Sequence, residues 1–389
     1  MARYADEVKS RAGLSTRHDR ERHREEEMKR RDFLRQSALG LAALKLGPIP
    51  PCAGRPQSGR TVRNWVWLGA PRNITRDAFR KRLDDLHSLG VGGICIQEGS
   101  LDIVLPAAAE AGFEVHCWAW ILCHNARRTM ETHPDWYMVN RNGESCLTKP
   151  PYVDYYRWLC PNKPAVRDFL KERLLRLAAY REVAAVHLDY IRYPDVILPV
   201  GIQPKYNLVQ ETELPRYDYC YCDDCRRLFK AAAGLDPAAM EAPEKNQAWR
   251  RFRLKSVVDL VNHLAQAVHQ AGKKVSAAVF PTPDIARRLV RQDWPRWDLD
   301  AFFPMMYHRD YNEGVDWIGN ATRLDREALS GRGALLFSGM IVNTMTAEEI
   351  PAAVKVAFDN GADGVSVFGG IPEDRRAAFR EALQTHGRT

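Results

Sequence analysis

The sequence predicts an α/β fold, specifically a (β/α)8 TIM barrel with long loop insertions after strands 3 and 4. Three observations predict it. From residue 63 onward, short apolar runs alternate with amphipathic ones, which is the pattern of repeated β-α units on a parallel sheet. Eight such units fit into about 320 residues, the length that a barrel with insertions needs. The chain has no G-x-G-x-x-G turn, which disfavours a dinucleotide-binding doubly wound sheet.

Each strand is predicted from a short apolar run that ends at a polar residue, a glycine or a loop. In chain order the predicted strands occupy residues 64–70, 91–97, 113–121, 184–189, 274–280, 300–307, 334–342 and 364–368. Helices are predicted where apolar residues recur every three to four positions, as at Phe79, Leu83 and Leu86. The helices with the clearest pattern span residues 75–89, 101–111, 164–180, 246–271 and 375–383.

Composition and charge exclude two classes of protein. The chain is 45% hydrophobic and 27% charged, which is ordinary for a globular protein. No apolar run reaches the roughly 18 to 20 residues that a membrane-spanning helix needs. The net charge is +8, and residues 1–53 account for half of it with twelve Lys and Arg against eight Asp and Glu. No run of Arg and Lys with interleaved aromatic residues stands out in the sequence, so we expect no nucleic-acid partner.

Residues 1–53 are predicted to be a disordered leader with a twin-arginine signal peptide. Residues 1–27 are highly charged and have no hydrophobic period. Arg30 and Arg31 are followed by Asp-Phe-Leu and then by the apolar run S-A-L-G-L-A-A-L, which is typical of a twin-arginine export signal. The alternative is an ordinary amphipathic helix with two arginines. We therefore expect the translocase as a partner during export, a periplasmic or secreted location, and a barrel domain over residues 54–389.

The most informative stretch is A-A-V-H-L-D-Y-I-R-Y-P, residues 184–194. Asp189 stands where a buried apolar run gives way to a polar, aromatic loop, and the carboxyl ends of barrel strands are where such folds keep their active sites. A carboxylate at the end of a buried strand is costly unless it is paired with another group, so it is expected to have a partner or a function. The alternative is a structural salt bridge from Asp189 to Arg192 or to a neighbouring strand.

The two insertions, residues 123–162 and 195–245, are predicted to cover the same end of the barrel. Aromatic residues concentrate at the strand ends and in the loops that follow: Trp118, Trp120, Trp136, Tyr155, Tyr156, Trp158, Tyr190, Tyr193 and Tyr307. Flat aromatic faces combined with fork-like hydrogen-bonding groups suit sugar rings. For Trp136 and Trp158 we expect packing of loop onto barrel instead.

Four motifs follow one another in an order that is familiar: V-H-C-W-A-W, H-P-D-W-Y, L-C-P-N-K-P-A-V-R-D-F-L and A-A-V-H-L-D-Y-I-R-Y-P. Together with Q-D-W-P-R-W and F-P-M-M-Y, this order resembles the glycosyl-hydrolase-like proteins usually called family 10 glycosylhydrolases. The resemblance covers most of residues 64–370. It implies a (β/α)8 barrel distantly similar to the α-amylase and related clans, hydrolysis of O-glycosyl bonds, and Asp189 as the catalytic aspartate. This chain has a single aspartate where many relatives have two adjacent acids.

Glycoside cleavage uses two carboxyl groups, one ionised and one protonated. We predict Asp189 as the ionised group, acting as nucleophile or base, with support from His187 and Arg192. Asp310 and Glu98 are the candidates for the acid, and Asp310 is favoured because of the surrounding Tyr-His-Arg-Asp cluster. Glu313 and Asp284 are further candidates from strand-end loops. The predicted substrate-binding residues are His116, Trp118, Trp120, His187, Tyr190, Arg192, Tyr193, Tyr307 and His308.

Cys220, Cys222 and Cys225 form the motif C-x-C-x-x-C in the second insertion. This spacing predicts a structural zinc site whose fourth ligand is a loop histidine or another cysteine. The alternatives are free thiols or a disulfide from one of the three to Cys160 or Cys146. The predicted chemistry itself requires no cofactor.

The first functional hypothesis is an exported glycoside hydrolase that cleaves a polysaccharide or oligosaccharide. The alternative is a non-catalytic glycan-binding barrel. A second carboxyl group about 5 to 9.5 Å from Asp189 would favour hydrolysis. A third hypothesis is a metal-dependent hydrolase or deacetylase that uses His116, His187 and Asp189.

Overall fold

Eight parallel strands close into one barrel, with the strands in sequence order and the last paired with the first. The structure is a computed structural model that describes residues 64–69 and 74–386; the predicted leader and twin-arginine signal lie outside the described residues. The strands are β1 (Asn64–Leu68), β2 (Gly93–Gln97), β3 (Glu114–Trp120), β4 (Ala185–Asp189), β5 (Lys274–Val279), β6 (Ala301–Pro304), β7 (Leu335–Met340) and β8 (Gly364–Val367). The predicted (β/α)8 fold class is confirmed.

Helices follow the strands and cover the outside of the barrel. The first, α1, begins after Thr75, whose hydroxyl accepts a hydrogen bond from the Ala78 N–H, and it buries Phe79, Leu83 and Leu86 as the spacing predicts. Among the described helices, none is long and apolar enough to cross a membrane. The helices are α1 (Arg76–Ser88), α2 (Leu101–Glu110), α3 (Arg127–Thr132), α4 (Pro164–Ala178), α5 (Asp223–Ala233), α6 (Gln247–Gln270), α7 (Pro283–Val290), α8 (Val315–Ala328), α9 (Glu349–Asp359) and α10 (Glu373–His386).

Several predicted strands are longer than the observed ones, most clearly at β6. The prediction extended that strand to residue 307, but β6 ends at Pro304 and residues 308–311 form a 3-10 turn. Proline has no N–H to donate, and beyond it only Met305 still pairs, with Val279 of β5 and Gly339 of β7. The early end leaves Tyr307 and Asp310 in a turn above the barrel.

The barrel interior is filled by aromatic side chains that alternate with outward-facing residues. Trp65, Trp67, Trp118, Phe303 and Phe337 form this buried inner cluster, which is separate from the core between strands and helices. The interior is therefore a packed core, and any ligand must bind above it.

The two long insertions leave from the carboxyl ends of β3 and β4, as predicted, and they pair with each other. Asn140 of the first forms an antiparallel bridge with Tyr219 of the second. The Tyr221 N–H also donates to the Val139 carbonyl over 2.8 Å. The two loops thus form one joined layer over the carboxyl face.

Candidate active site

Asp189 is the last residue of β4, and its carboxylate is held by two donors. Trp118 on β3 donates its indole N–H to Oδ2 over 3.0 Å, and the Tyr190 backbone N–H donates to Oδ1 over 2.6 Å. Tyr190 has a φ of 48°, a left-handed conformation that costs a non-glycine residue about 1–3 kcal/mol and is concentrated at functional sites. The carboxylate of Asp189 is thus held in place, and the backbone of the next residue, Tyr190, is strained.

Opposing effects act on the protonation of Asp189. Burial raises the pKa of its carboxyl, while the hydrogen bonds from Tyr190 and Trp118 and the positive charge of Arg192 lower that pKa. Burial is the largest of these effects, so the pKa of Asp189 lies above the ordinary value of an aspartate. The two hydrogen bonds and the charge of Arg192 limit this rise.

Arg192 does not form the alternative salt bridge with Asp189. Its guanidinium pairs with Asp195 over 2.9 Å and lies over the rings of Trp158 and Phe280, each 4.9 Å from the charge. Arg192 is 6% exposed, and its contact with substrate stays a prediction. It supports the loop after β4 and acts on Asp189 only through its charge.

Two histidines below Asp189 belong to a hydrogen-bonded chain inside the barrel. The Trp67 indole N–H donates to His187 Nε2 over 3.2 Å, so His187 carries its proton on Nδ1. His187 Nδ1 lies 2.8 Å from the Ser276 hydroxyl, which lies 2.9 Å from His116 Nδ1. Since His187 donates to the serine, the serine donates to His116. The remaining His116 N–H then faces Glu114, with Nε2 and Oε1 3.5 Å apart. The indole of Trp67 can only donate, so it sets which atom donates in each hydrogen bond between His187, Ser276 and His116.

The buried positions of His116 and His187 correct two predictions. Burial lowers the pKa of both imidazoles, so both are neutral at neutral pH. They lie in the barrel interior and cannot contact a sugar above it. A metal site that includes Asp189 is not formed either, because the histidines cluster with Cys95 and their ring nitrogens are already bonded. His116 and His187 form with Cys95 a group that could hold a metal ion, but Asp189 is not part of it; the metal-dependent hydrolase hypothesis stays a prediction.

Ser276→Ala is expected to reduce the free energy of unfolding by about 1–3 kcal/mol, because it leaves one buried donor on His187 and one buried acceptor on His116 unpaired. Denaturant unfolding measures the change. Ser330→Ala, at an exposed serine, is the control and should stay within about 0.5 kcal/mol of wild type. A loss as small as that of the control would contradict the hydrogen-bonded chain.

Aromatic rings surround Asp189 where the barrel opens. Trp120 lies 4.6 Å from Tyr190 between ring centroids, and Tyr307 stacks on Phe368 at 6.0 Å. Trp120, Tyr190 and Tyr307 are half-buried, and each is a predicted substrate-binding residue. Phe368 was not among the predicted site residues. It directly follows β8, and this position at a strand end could have identified it as a site residue.

Asp310 lies in the 3-10 turn after β6, half-buried and in a different environment from Asp189. Among the described residues, no group hydrogen-bonds to its carboxyl. Burial raises the pKa of Asp310, and the charge of Lys205 opposes this effect. The phenol of Tyr307 has a pKa raised first by burial and then by the negative charges of Asp189 and Asp310. Tyr307 thus senses both carboxyl groups.

The turn that carries Asp310 is supported by the loop after β4. The Gly201 N–H donates to the Asp310 carbonyl over 2.8 Å. A Cβ on residue 201 would lie 2.2 Å from the Arg309 carbonyl oxygen, so only glycine allows this close approach. The loop that begins at Asp189 therefore also positions Asp310.

Other predicted residues lie away from this pocket. Glu98 faces outward and pairs with Arg173 of α4, which also donates to the Trp120 carbonyl over 2.6 Å. Tyr193 and His308 are buried, at 1% and 2% exposed. Asp284 and Glu313 are exposed on the surface, and Asp284 pairs with Arg287.

The predicted cysteine cluster gains a fourth member in the structure. The sulfurs of Cys160, Cys220, Cys222 and Cys225 all lie within 4.8 Å of one another, and all four side chains are buried. The rival disulfide to Cys146 is not formed, because the Cys146 thiol contacts the backbone of Trp158 instead. This cluster could hold a metal ion.

Comparison with known proteins identifies a shared fold. No family model matches the chain, and no curated protein matches its sequence. Among the solved structures that match is a β-galactosidase from the Antarctic haloarchaeon Halorubrum lacusprofundi, with 14% identity over 84% of this chain and 58% of that one and a TM-score of 0.60. A β-galactosidase from Marinomonas ef1 matches with 11% identity, 83% and 59% coverage and a TM-score of 0.57. One from Rahnella sp. R3 matches with 14% identity, 85% and 56% coverage and a TM-score of 0.56.

This chain spans less than two thirds of the length of those three enzymes. At such low identity the likeness concerns the fold alone, and the fold neighbours are barrel glycosidases. The resemblance to family 10 glycosylhydrolases stays a prediction.

Proposed function

We propose that the protein is an exported glycoside hydrolase that cleaves a polysaccharide or oligosaccharide with two carboxyl groups. Asp189 acts as nucleophile or base, and Asp310 acts as the general acid. One observation carries the proposal: an aspartate held by two donors ends strand β4 among half-buried aromatic rings, and a second carboxyl, that of Asp310, lies in the turn after β6.

The two carboxyl groups differ in their hydrogen bonds. Burial raises the pKa of both. Asp189 accepts two hydrogen bonds that oppose this rise, whereas among the described residues no donor binds the carboxyl of Asp310. This difference makes Asp189 the better candidate for the ionised group and Asp310 the better candidate for the acid.

The aromatic surroundings support a sugar substrate. Trp120, Tyr190 and Tyr307 offer partly exposed faces that match the C–H faces of a sugar ring. The named activity of the fold neighbours makes β-galactosides a reasonable part of the first substrate panel. Export rests on the twin-arginine motif in residues 1–53, which implies the translocase as a partner and a periplasmic or secreted site of action.

The experiment that tests the proposal uses purified protein and a panel of bacterial and plant polysaccharides, oligosaccharides and galactosides. Released reducing ends are measured for the wild type. Cleavage of at least one glycan is the expected result. Glycan binding without cleavage across the panel would favour the non-catalytic barrel instead.

Gly201→Ala is expected to lower kcat by about 10²-fold without abolishing folding, because the added methyl displaces the turn that carries Asp310 and small displacements of catalytic groups are costly. Gly314→Ala is the control, four residues after Asp310 in the loop that follows β6: its φ is −86° and no atom lies within 4 Å of the added Cβ. Equal kcat for both variants would contradict the positioning role of Gly201.

A further inference from the structure

We propose that Cys160, Cys220, Cys222 and Cys225 bind one Zn²⁺ ion, which joins the two long loops over the carboxyl face of the barrel. This site is separate from the two carboxyl groups and is independent of the proposed hydrolysis. It would stabilise the loop layer that surrounds Asp189.

The positions of the sulfurs match a tetrahedral zinc site. The Cys160 sulfur lies 3.5 Å from that of Cys225 and 3.6 Å from that of Cys222. Zinc–sulfur bonds of about 2.3 Å in a tetrahedron place the sulfurs about 3.8 Å apart. All four sulfurs converge on one point within 4.8 Å of each other, so they can surround one ion.

A disulfide explains this arrangement less well. It would join only two sulfurs, at about 2.0 Å, and would leave the other two without a reason to converge. All eight described cysteines have free thiols. Among the described residues, these four form the one possible metal-binding group that consists of cysteines alone. Four thiols from a C-x-C-x-x-C motif and one distant cysteine form a complete ligand set, which is typical of a structural zinc site without an open position.

Neighbouring groups support a bound tetrathiolate. The Asn162 side-chain amide donates to the Cys225 sulfur over 3.2 Å, as groups around metal ligands commonly do. Cys222 immediately precedes α5, where the amino end of the helix favours a thiolate. Binding releases the thiol protons and gives Zn²⁺ with four thiolates a net charge of −2. The ammonium group of Lys163, beside Asn162 in sequence, lies close to this loop and pairs with Asp224 over 2.7 Å.

The ion would connect segments that are far apart in sequence. Cys160 belongs to the insertion after β3 and follows Trp158, whose ring lies 5.6 Å from that of Tyr190. The other three cysteines lie within the insertion after β4, at the amino end of α5. One ion would therefore hold in place the loop segment whose Trp158 packs near Tyr190, the residue after Asp189. In this position the ion would support the site without touching a substrate.

The test is metal analysis of full-length protein purified without added metal or chelator. About one zinc per chain is expected. Cys160→Ser and Cys222→Ser should lose most of it, while Cys146→Ser, at a buried cysteine outside the cluster, should retain it. Asn162→Ala keeps all four ligands and should weaken zinc binding by about 10- to 100-fold in competition with a chelator.

Thiol titration of the denatured protein without reductant provides a second readout that does not depend on folded variants. If zinc is bound, all four cluster thiols react once a chelator is added. Metal-free wild type, a different metal at one ion per chain, or thiols missing because of a disulfide would each overturn the proposal. Unchanged chelator competition in Asn162→Ala would also contradict the proposed site.

Discussion

Asp189→Asn is expected to lower kcat on any glycan that the wild type cleaves by at least about 10³-fold, because the amide cannot act as nucleophile or base. The amide also has only one acceptor oxygen for the two donors that the carboxylate binds, Trp118 and Tyr190. A cost to stability of about 1–3 kcal/mol is therefore expected as well. Initial rates of reducing-end release and denaturant unfolding measure the two effects separately.

Asp284→Asn is the matched control for this substitution. Asp284 also follows a strand, in the first turn of α7, but its side chain is exposed and pairs only with Arg287. The control should keep the wild-type rate. A similar loss of rate in both variants, or a normal rate in Asp189→Asn, would remove Asp189 from the chemistry.

Asp310→Asn is expected to have an effect that depends on the leaving group. Glycosides with poor leaving groups should lose about 10²- to 10⁴-fold in rate, because their bond cleavage needs a proton from the acid. Aryl glycosides with good leaving groups should lose much less. The comparison of kcat/KM for the two kinds of substrate separates loss of the acid from general damage to the site.

The pH dependence gives a second sign of the same role. A general acid must be protonated, so the wild-type rate should fall as the pH rises through the raised pKa of Asp310. At low pH the rate should fall again as Asp189 becomes protonated. Asp310→Asn should remove the alkaline fall and keep the acidic one.

Glu98→Gln distinguishes the two candidate acids. Because Arg173 binds the Glu98 carboxylate, this variant should lose some stability and show no dependence on the leaving group. A strong leaving-group dependence in Glu98→Gln, with a normal profile in Asp310→Asn, would exchange the two assignments.

The sequence was sufficient for the barrel, the strand order and the place of Asp189. These depend on short-range periodicity, and β4 ends at Asp189 as its apolar run predicts. The same alternation placed Trp118 and Trp120 on the inner side of β3. The two insertions were also predictable, because each interrupts a regular alternation of strands and helices.

Contacts between distant segments were not predictable in the same way. The hydrogen-bonded chain of His187 and Ser276 depends on the register between β4 and β5, which pairs these residues directly. Periodicity assigns a residue to a face of its strand but not to a depth in the barrel. The strand pattern therefore left both the sugar and the barrel interior open for His116, and both histidines lie in the interior.

Loop paths were the other source of error. Arg192 forms an ion pair with Asp195, three residues later. This pairing depends on how the loop folds back, and no motif in the sequence indicates it. Cys160 joins the cysteine cluster across 65 residues of chain from Cys225, so the spacing of the other three could not single it out from the remaining cysteines.

The central claim, that Asp189 breaks a glycosidic bond, is tested most directly by measuring glycan binding and reducing-end release together for wild type and Asp189→Asn. Calorimetric titration measures the binding of the same glycan whose cleavage is followed. Both proteins are expected to bind it with similar affinity, and only the wild type should cleave it. Binding by both proteins with cleavage by neither, or with equal cleavage by both, would show that Asp189 does not break the bond.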